Sequence, residues 1–575
     1  MAIRPFHKVY PRAPHYGHPA VSQGMPAWIF GGCREGFVSE SEEEMDKKEL
    51  IMSGKTALGI ELGSTRIKGV LIDLQGNVLA VGIHDWENSL VDNIWTYSLE
   101  EIHTGIRKCY SSLREAVKAA YGVILQTVGS IGVSAMMHGY MALDKDGILL
   151  APFQTWRNTN TQKAADELTE LFDFNIPLRW TAAHLYQRIL DKETHPAKLD
   201  YVSTLSGYIH WKLTGKRVIG IGDAAGMFPI DSETLDYDAS MMEKFNRLLE
   251  PCGYNWKVED IFPKVLAAGE DAGALTEEGA AFLDETGSLQ AGIPLCPPEG
   301  DAGTGMTATN SVAPRTGNVS AGTSTFAMIV LEKKLSRLYR EIDMVTTPSG
   351  FPCAMSHANN GTSDLNAWVG LFGEFAELMG IKAEPGELFQ KLYTESLKGD
   401  PACGGLLAYG YYSGENITML NEGRLAFLRT PESRFDLANF MRAHLYTSLG
   451  AVKLGLDILM EKEKVQVERI MGHGGFFKTK GVGQRYLAAA VNAPVTVMDT
   501  ASEGGAWGIA LLAAYRMDKH PGEKLEDYLE HRIFKELSGE TTEPSAEDAA
   551  GFELFMERYK AGLAVEKAAI EAMDW

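Results

Sequence analysis

From Thr56 onward, short apolar runs alternate with polar, glycine-containing breaks, a pattern that predicts a meander of strands. TALGIEL, IKGVLID and VLAVGIHDW each read as a strand, separated by the turns GSTR and LQGN. The period then lengthens. Leu99, Ile102, Ile106, Tyr110, Leu113 and Val117 recur every three or four residues, which predicts a helix over 98–125. VGSIGVSAMMHGYMAL follows as a buried strand, a polar tip and another strand, and residues 161–213 read mostly as helices. Gly222–Gly226 reads as a small-residue loop. The second half repeats the plan. Residues 315–332 predict a hairpin, and Leu437, Phe440, Met441, Leu445, Leu449, Val452, Leu456 and Leu459 predict a long helix over 434–462. VERIMGHGGFFKTKGVGQRYLAAAVNAPVTV reads strand, glycine-rich turn, helix, strand. Glu503–Gly508 opens a helix of small residues, so another backbone should pack closely there. Phe552, Phe555, Tyr559, Leu563 and Ala568 mark an amphipathic helix near the end of the sequence.

Residues 1–54 break this pattern. They carry Pro, Gly and His without periodicity and then an acidic run, Ser39–Glu44, and are expected to form a poorly packed extension. His7, His15 and His18 fit a loose histidine-containing tail better than a metal site. The 575 residues exceed what one ordinary core holds, so two large domains are expected. No apolar run is long enough to span a membrane. The net charge of −22 argues against wrapping a nucleic acid. Six scattered cysteines without a CxxC pair give no zinc ribbon or thioredoxin-like motif, and fit small buried residues in a reducing cytoplasm.

Chemistry concentrates in PPEGDAGTGMTATNSVAPRTGNVSAGTST, residues 297–325. Its first half reads as a glycine-rich turn presenting one carboxylate, Asp301. Its second half reads as a hairpin whose tip contains Gly322, Thr323 and Ser324. Glycines admit a ligand close to the backbone, and hydroxyls with free N–H groups hold phosphate oxygens. A carboxylate beside such a cradle points to phosphoryl transfer onto a hydroxyl, with Asp301 accepting the proton. An Asp-Gly turn followed by an ordinary hairpin explains the same residues. The first meander carries a similar tip: Glu61, then Gly63, Ser64 and Thr65, then Lys68, a plausible corner for nucleotide phosphate and magnesium. Met137 and His138 sit where a strand ends, and Trp156, Arg157 and Asn158 form a polar-aromatic cluster suited to a sugar.

With these pieces in order, the chain resembles the FGGY carbohydrate kinases of the actin and hexokinase-like ATPase superfamily. GIELGSTRIKGVLID looks like the first phosphate motif and GNVSAGTST like the second. PEGDAGTG looks like the loop carrying the catalytic aspartate, YYSGEN like a short loop motif, and IMGHGGFFKTKGVGQRYLAAAVNAPV with EGGAWGIALLAA like the adenosine motif. SAMMHGY resembles the sugar loop of the xylulokinase and ribulokinase branch. The resemblance implies an α/β fold of two ribonuclease-H-like domains with a cleft between them. They would span 55–300 for the sugar and 301–517 for the nucleotide, with a helical tail over 518–575 docked on the core. It implies a cytoplasmic kinase that uses ATP and Mg2+ to phosphorylate a ketose, binds neither membrane nor nucleic acid, and can form a homodimer. By carry-over, Asp301 is the general base. Met137, His138, Trp156 and Asn158 contact the sugar. Gly63, Ser64, Thr65, Lys68, Gly322, Thr323, Ser324, Gly474, Gly475 and Phe476 hold ATP, and Glu61 holds magnesium through water. Two departures stand out: Met136 replaces the usual Gln of the sugar loop, and Trp156-Arg157-Asn158 lacks the usual acid. D-xylulose, ribulose and deoxy-ketohexoses all stay open as substrates, as does a sugar- and ATP-binding sensor or an ATPase on the same scaffold.

Overall fold

The computed structural model describes residues 47–498, 504–535 and 539–573. Most of the expected extension, residues 1–46, lies outside them. Of the rest, residues 47–52 form a short helix that buries Ile51, and 53–54 a turn.

Three strands joined by tight turns open the fold: β1 (Ala57–Leu62), β2 (Arg66–Ile72) and β3 (Val78–Asp85). They pair antiparallel, with Glu61 opposite Lys68. Helix α1 (Leu99–Tyr121) starts at a capping box made by Ser98 and Glu101 and ends on Gly122 in the left-handed conformation. Its buried face, Ile102 to Val117, is the predicted stripe. It packs so closely on β3 that a Cβ on Gly82 would lie 2.4 Å from the Cys109 carbonyl oxygen. Strand β4 (Ser130–Ala135) then pairs parallel with β1, and β5 (Glu299–Gly300) pairs parallel with β4. The first sheet therefore runs β5-β4-β1-β2-β3.

Asp301 does not sit in a glycine-rich turn. It is the first residue of helix α2 (Asp301–Ala308), because the strand β5 feeds directly into it. Of the predicted loop at Gly222–Gly226, Gly222 to Ala224 belong to a short helix, Ile221–Ala224, whose small residues let it lie against Glu299, and Ala225 and Gly226 follow in a turn.

The second sheet restates the first. Strands β6 (Thr316–Ala321) and β7 (Thr325–Val330) form the predicted hairpin; β8 (Asp343–Thr346) and β9 (Pro352–Ala358) extend it antiparallel. Helix α3 (Leu437–Asp457) packs across this sheet. Beyond it come β10 (Arg469–His473), α4 (Gly483–Val491) and β11 (Val495–Met498), then helix α5 (Gly504–Asp518) and β12 (Gly539–Thr542). The sheet order is β8-β9-β7-β6-β10-β11-β12, with β6, β10 and β11 parallel. Helix α5 crosses back onto the first sheet: a Cβ on Gly59 would lie 2.2 Å from the Ala506 carbonyl oxygen, and one on Gly508 would lie 2.0 Å from that of Thr304. The expected close backbone approach is there, and it ties β1 to α2.

The last helix, α6 (Ala546–Ala572), buries Phe552, Phe555, Met556 and Tyr559, while Ala568 is exposed. Asp548 fastens it, accepting from Arg485 and from the buried Arg442. Among the described residues no helix is long and apolar enough to cross a membrane. Four cysteines (109, 296, 353, 403) are buried and Cys252 is exposed.

Candidate active site

A cavity of about 350 Å3 opens between the two sheets. It gathers Glu61, Ser64, Met137, His138, Trp156, Asp301 and Ser324 of the expected site. The positions come from corresponding places in the fold: Glu61 from the end of β1, Met137 from the end of β4, Asp301 from the start of α2, and Ser324 from the tip of the β6–β7 hairpin.

Asp301 Oδ1 accepts from the Met137 N–H at 3.0 Å. Its side chain opens into the cleft, yet the surrounding protein still raises the carboxyl above its ordinary range, with that N–H opposing the shift. Burial pushes Glu61 up to about 7, the Asp301 charge adds to this, and the Ala506 N–H and Lys68 pull the other way. Glu61 Oε2 accepts from the Ala506 N–H at 3.1 Å, at the start of α5. A Cβ on Gly505 would meet Glu61 Oε1 at 2.2 Å, so only glycine leaves that carboxylate its place.

The first tip is braced from outside. Trp86 Nε1 donates to the Gly63 carbonyl at 2.7 Å, Tyr97 Oη donates to the Ser64 carbonyl at 2.6 Å, and Trp156 Nε1 donates to Ser64 Oγ at 3.1 Å. Thr65 is exposed at the turn. In the hairpin tip the Gly322 N–H donates to the Ser324 carbonyl at 2.9 Å. Gly322, Thr323 and Gly475 line a second cavity of about 820 Å3, together with Tyr393 and Lys478. Gly474 adopts φ 102° and lies where a Cβ would come 2.5 Å from the Ala321 carbonyl oxygen, which makes glycine obligatory.

Two expected contacts are differently placed. The Asn158 side chain ties its loop to the short strand Ile94–Thr96: it accepts from the Trp95 N–H at 2.9 Å and donates to the Trp95 carbonyl at 2.8 Å and to the Thr155 carbonyl at 3.0 Å. Phe476 is fully buried against Phe477 and Tyr393, so it supports the glycine turn from beneath. Arg157 leaves the cleft and lies over Trp95 at 3.9 Å.

Residues 56–306 match the N-terminal domain of the FGGY family of carbohydrate kinases, and residues 317–517 match its C-terminal domain. The chain belongs to this family. It is a carbohydrate kinase. A xylulose kinase from Haemophilus influenzae is 21% identical over 467 residues, 78% of this chain and 89% of that one. An L-fuculokinase from Escherichia coli is 23% identical over 266 residues, 42% of this chain and 50% of that one. The crystal structure of a xyloylose kinase from Brucella ovis has a TM-score of 0.72 at 20% identity, covering 90% of this chain and 100% of that one. A likeness at this identity establishes the two-domain FGGY fold.

The cleft also holds residues to which the sequence patterns give no role of their own. Arg179, Phe326, Met355, His357 and His473 line it. Burial drives the imidazoles of His357 to about 3 and His473 to about 4, and holds His138 well below its ordinary value, so all three are neutral at pH 7. His138 itself adopts φ 72°, a left-handed backbone rare for a side chain of this size. Behind Asp301 lies a second carboxyl pair. Glu299 Oε1 accepts from the Gly222 N–H at 3.1 Å, and Asp223 Oδ2 accepts from Thr204 Oγ1 at 2.7 Å and from Ser206. Burial pushes Glu299 to about 8 and Asp223 to about 7.

The donor set fits a magnesium ion carried in with a nucleotide. Glu61 is a half-buried carboxylate made costly first by its surroundings and then by the Asp301 charge, and a cation would relieve that cost. Among the described residues no group of three or more His, Cys, Asp or Glu could hold a metal by itself. Magnesium in such sites takes one or two carboxylates and completes its shell with phosphates and water.

Proposed function

We propose that this chain transfers the γ-phosphoryl group of ATP to a terminal hydroxyl of a ketose, and that the ketose is a ketopentose such as xylulose or ribulose. One observation carries the reading. Asp301, the hydroxyl-bearing tips at Ser64 and Ser324, and the Met137–His138 loop all converge on one cleft.

In this reading the sugar lies against Met137, His138 and Trp156 with its terminal hydroxyl at Asp301. ATP lays its adenosine in the cavity lined by Gly475 and Tyr393 and its phosphates between Gly63–Lys68 and Gly322–Ser324. As the sugar oxygen attacks the γ-phosphorus, the bond to the β–γ bridging oxygen breaks, ADP leaves, and Asp301 takes the hydroxyl proton. Little covalent chemistry is asked of the protein, which positions the two substrates and accepts one proton. Glu61 would hold magnesium, which supplies charge neutralisation at the phosphates. The Met137 N–H keeps Asp301 aimed into the cleft.

The test is ADP release with MgATP and a panel of ketoses, polyols and aldoses. One strongly preferred ketose with a phosphorylated product is expected. ATP hydrolysis that no sugar accelerates would instead favour an ATPase, and ATP binding without turnover a sensor.

A further inference from the structure

Arg179 stands in the wall between the cleft and a neighbouring cavity of about 500 Å3 that contains Asp343. Its carbonyl accepts from the Gly139 N–H at 3.3 Å, which ties it to the His138 loop. Its side chain is only 16% exposed, and its Nη2 donates to Asp343 Oδ2 on β8 of the other sheet. Asp343 is itself fixed by Asn175, which donates to its Oδ1 and to the Ile342 carbonyl, each at 3.0 Å. The guanidinium is therefore aimed by a carboxylate from across the cleft. It carries five N–H donors, and Asp343 is its one side-chain partner among the described residues. Its charge bears on His138 and His357, two cleft imidazoles that are neutral. A fixed, charged donor fork beside neutral rings and the apolar Phe326 and Met355 is a reader for an oxygen that accepts strongly and cannot donate.

We propose that Arg179 determines acceptor specificity: held by Asp343, its guanidinium donates to an sp2 oxygen of the sugar, the carbonyl of a ketose or the carboxylate of a sugar acid. A polyol lacks this oxygen and is discriminated against. Asp343 acts as a positioning residue, so the acceptor site is complete only when both sheets contribute. This inference rests on the sugar-kinase reading and names the acceptor oxygen that the site reads; an aldonate that outcompetes both ketoses would support it and replace the ketose of the proposed function.

The experiment compares kcat and KM for D-xylulose and D-ribulose, the pentitols made by reducing them, and the matching five-carbon aldonates. Wild type is expected to prefer a ketose or an aldonate over the pentitol by at least about tenfold in kcat/KM. The arm that wins tells carbonyl from carboxylate. Arg179→Met should raise the acceptor KM about 10- to 100-fold, the value of a lost charged hydrogen bond, and erase the preference while leaving the KM for ATP unchanged. Arg179→Lys keeps the charge and should not restore the preference, because an ammonium lacks the planar fork. Asp343→Asn should shift the acceptor KM in the same direction by less. Equal use of ketose and pentitol by wild type, or an unchanged acceptor KM and preference in both Arg179 variants, overturns the inference while the kinase reading stands. A wild type inert toward every sugar overturns both.

Discussion

Glu299→Gln should make the protein more stable at high pH. Glu299 is 1% exposed, sits two residues before Asp301, and is boxed in so tightly that Cβ atoms on Gly220 and Gly222 would come within 2.4 and 2.5 Å of its carboxyl oxygens. Its Oε2 has no hydrogen-bond partner among the described residues, and neither does Asp223 Oδ1. Burial first, and the Asp223 charge second, lift its pKa from 4.5 to about 8. The folded protein therefore keeps a proton that the unfolded chain releases as pH rises from 4.5. Wild-type stability falls with pH across that window, and the loss is complete above about 8. At about 1.4 kcal/mol per unit the ceiling is roughly 5 kcal/mol. With unfolding entropy of about 2.1 cal/mol/K per residue over roughly 500 residues, that ceiling corresponds to about 4–5 °C in Tm. Glutamine keeps the shape and the acceptor for the Gly222 N–H but never ionises. Thermal unfolding of both proteins from pH 5 to 9 checks this: the curves should nearly coincide at pH 5 and separate, with the variant higher, by pH 9. Parallel curves, or a variant that is less stable at pH 9, would show that Glu299 is ionised in the fold at neutral pH.

Asp548→Asn leaves Arg442 charged and buried without its counter-ion, and should cost roughly 3–5 kcal/mol in urea unfolding. Because Arg485 and Arg442 hold the Asp548 carboxyl below its ordinary range, its contribution is present above that range and is lost as pH falls through the lowered value; the gap between wild type and variant should close in acid. Gly508→Ala places a Cβ 2.0 Å from the Thr304 carbonyl oxygen, which only a backbone shift of α2 or α5 relieves. It should cost at least about 2 kcal/mol and lower kcat, since α2 carries Asp301. Glu61→Gln should lower turnover about 100-fold at fixed magnesium, with partial recovery as magnesium is raised, read from a magnesium titration of kcat/KM.

Much of this fold is legible in the chain because its signals are local. The meander follows from alternation broken by GSTR and LQGN, and α1 from a stripe that begins at a Ser98–Glu101 capping box. The tips at Ser64 and Ser324 read as hairpins because glycine and hydroxyl residues cluster between apolar runs. The stretch around Asp301 is legible but its conformation is not: DAGTG has the composition of a loop, and β5 and the close approach of α5 make it helical. Asn158 and Phe476 show the limit of carrying a role over by position: sequence places a residue on a loop without saying where its side chain is spent. Arg179 and His357 carry no local signal. They meet only because a loop of the first half and a strand of the second face each other across the cleft, a long-range pairing that no spacing encodes. Glu299 reads as one more charged residue before Asp301, and only Gly220 and Gly222, nearly eighty positions earlier, explain how it is enclosed.

The most direct test of the central claim is single-turnover phosphoryl transfer by Asp301→Asn beside wild type, with ATP and sugar affinities measured in parallel. Both affinities should be near unchanged and the transfer rate should fall by about 10²–10⁴, the usual contribution of a general base. A variant that binds both substrates and turns over at close to the wild-type rate would contradict it and remove Asp301 from the chemistry.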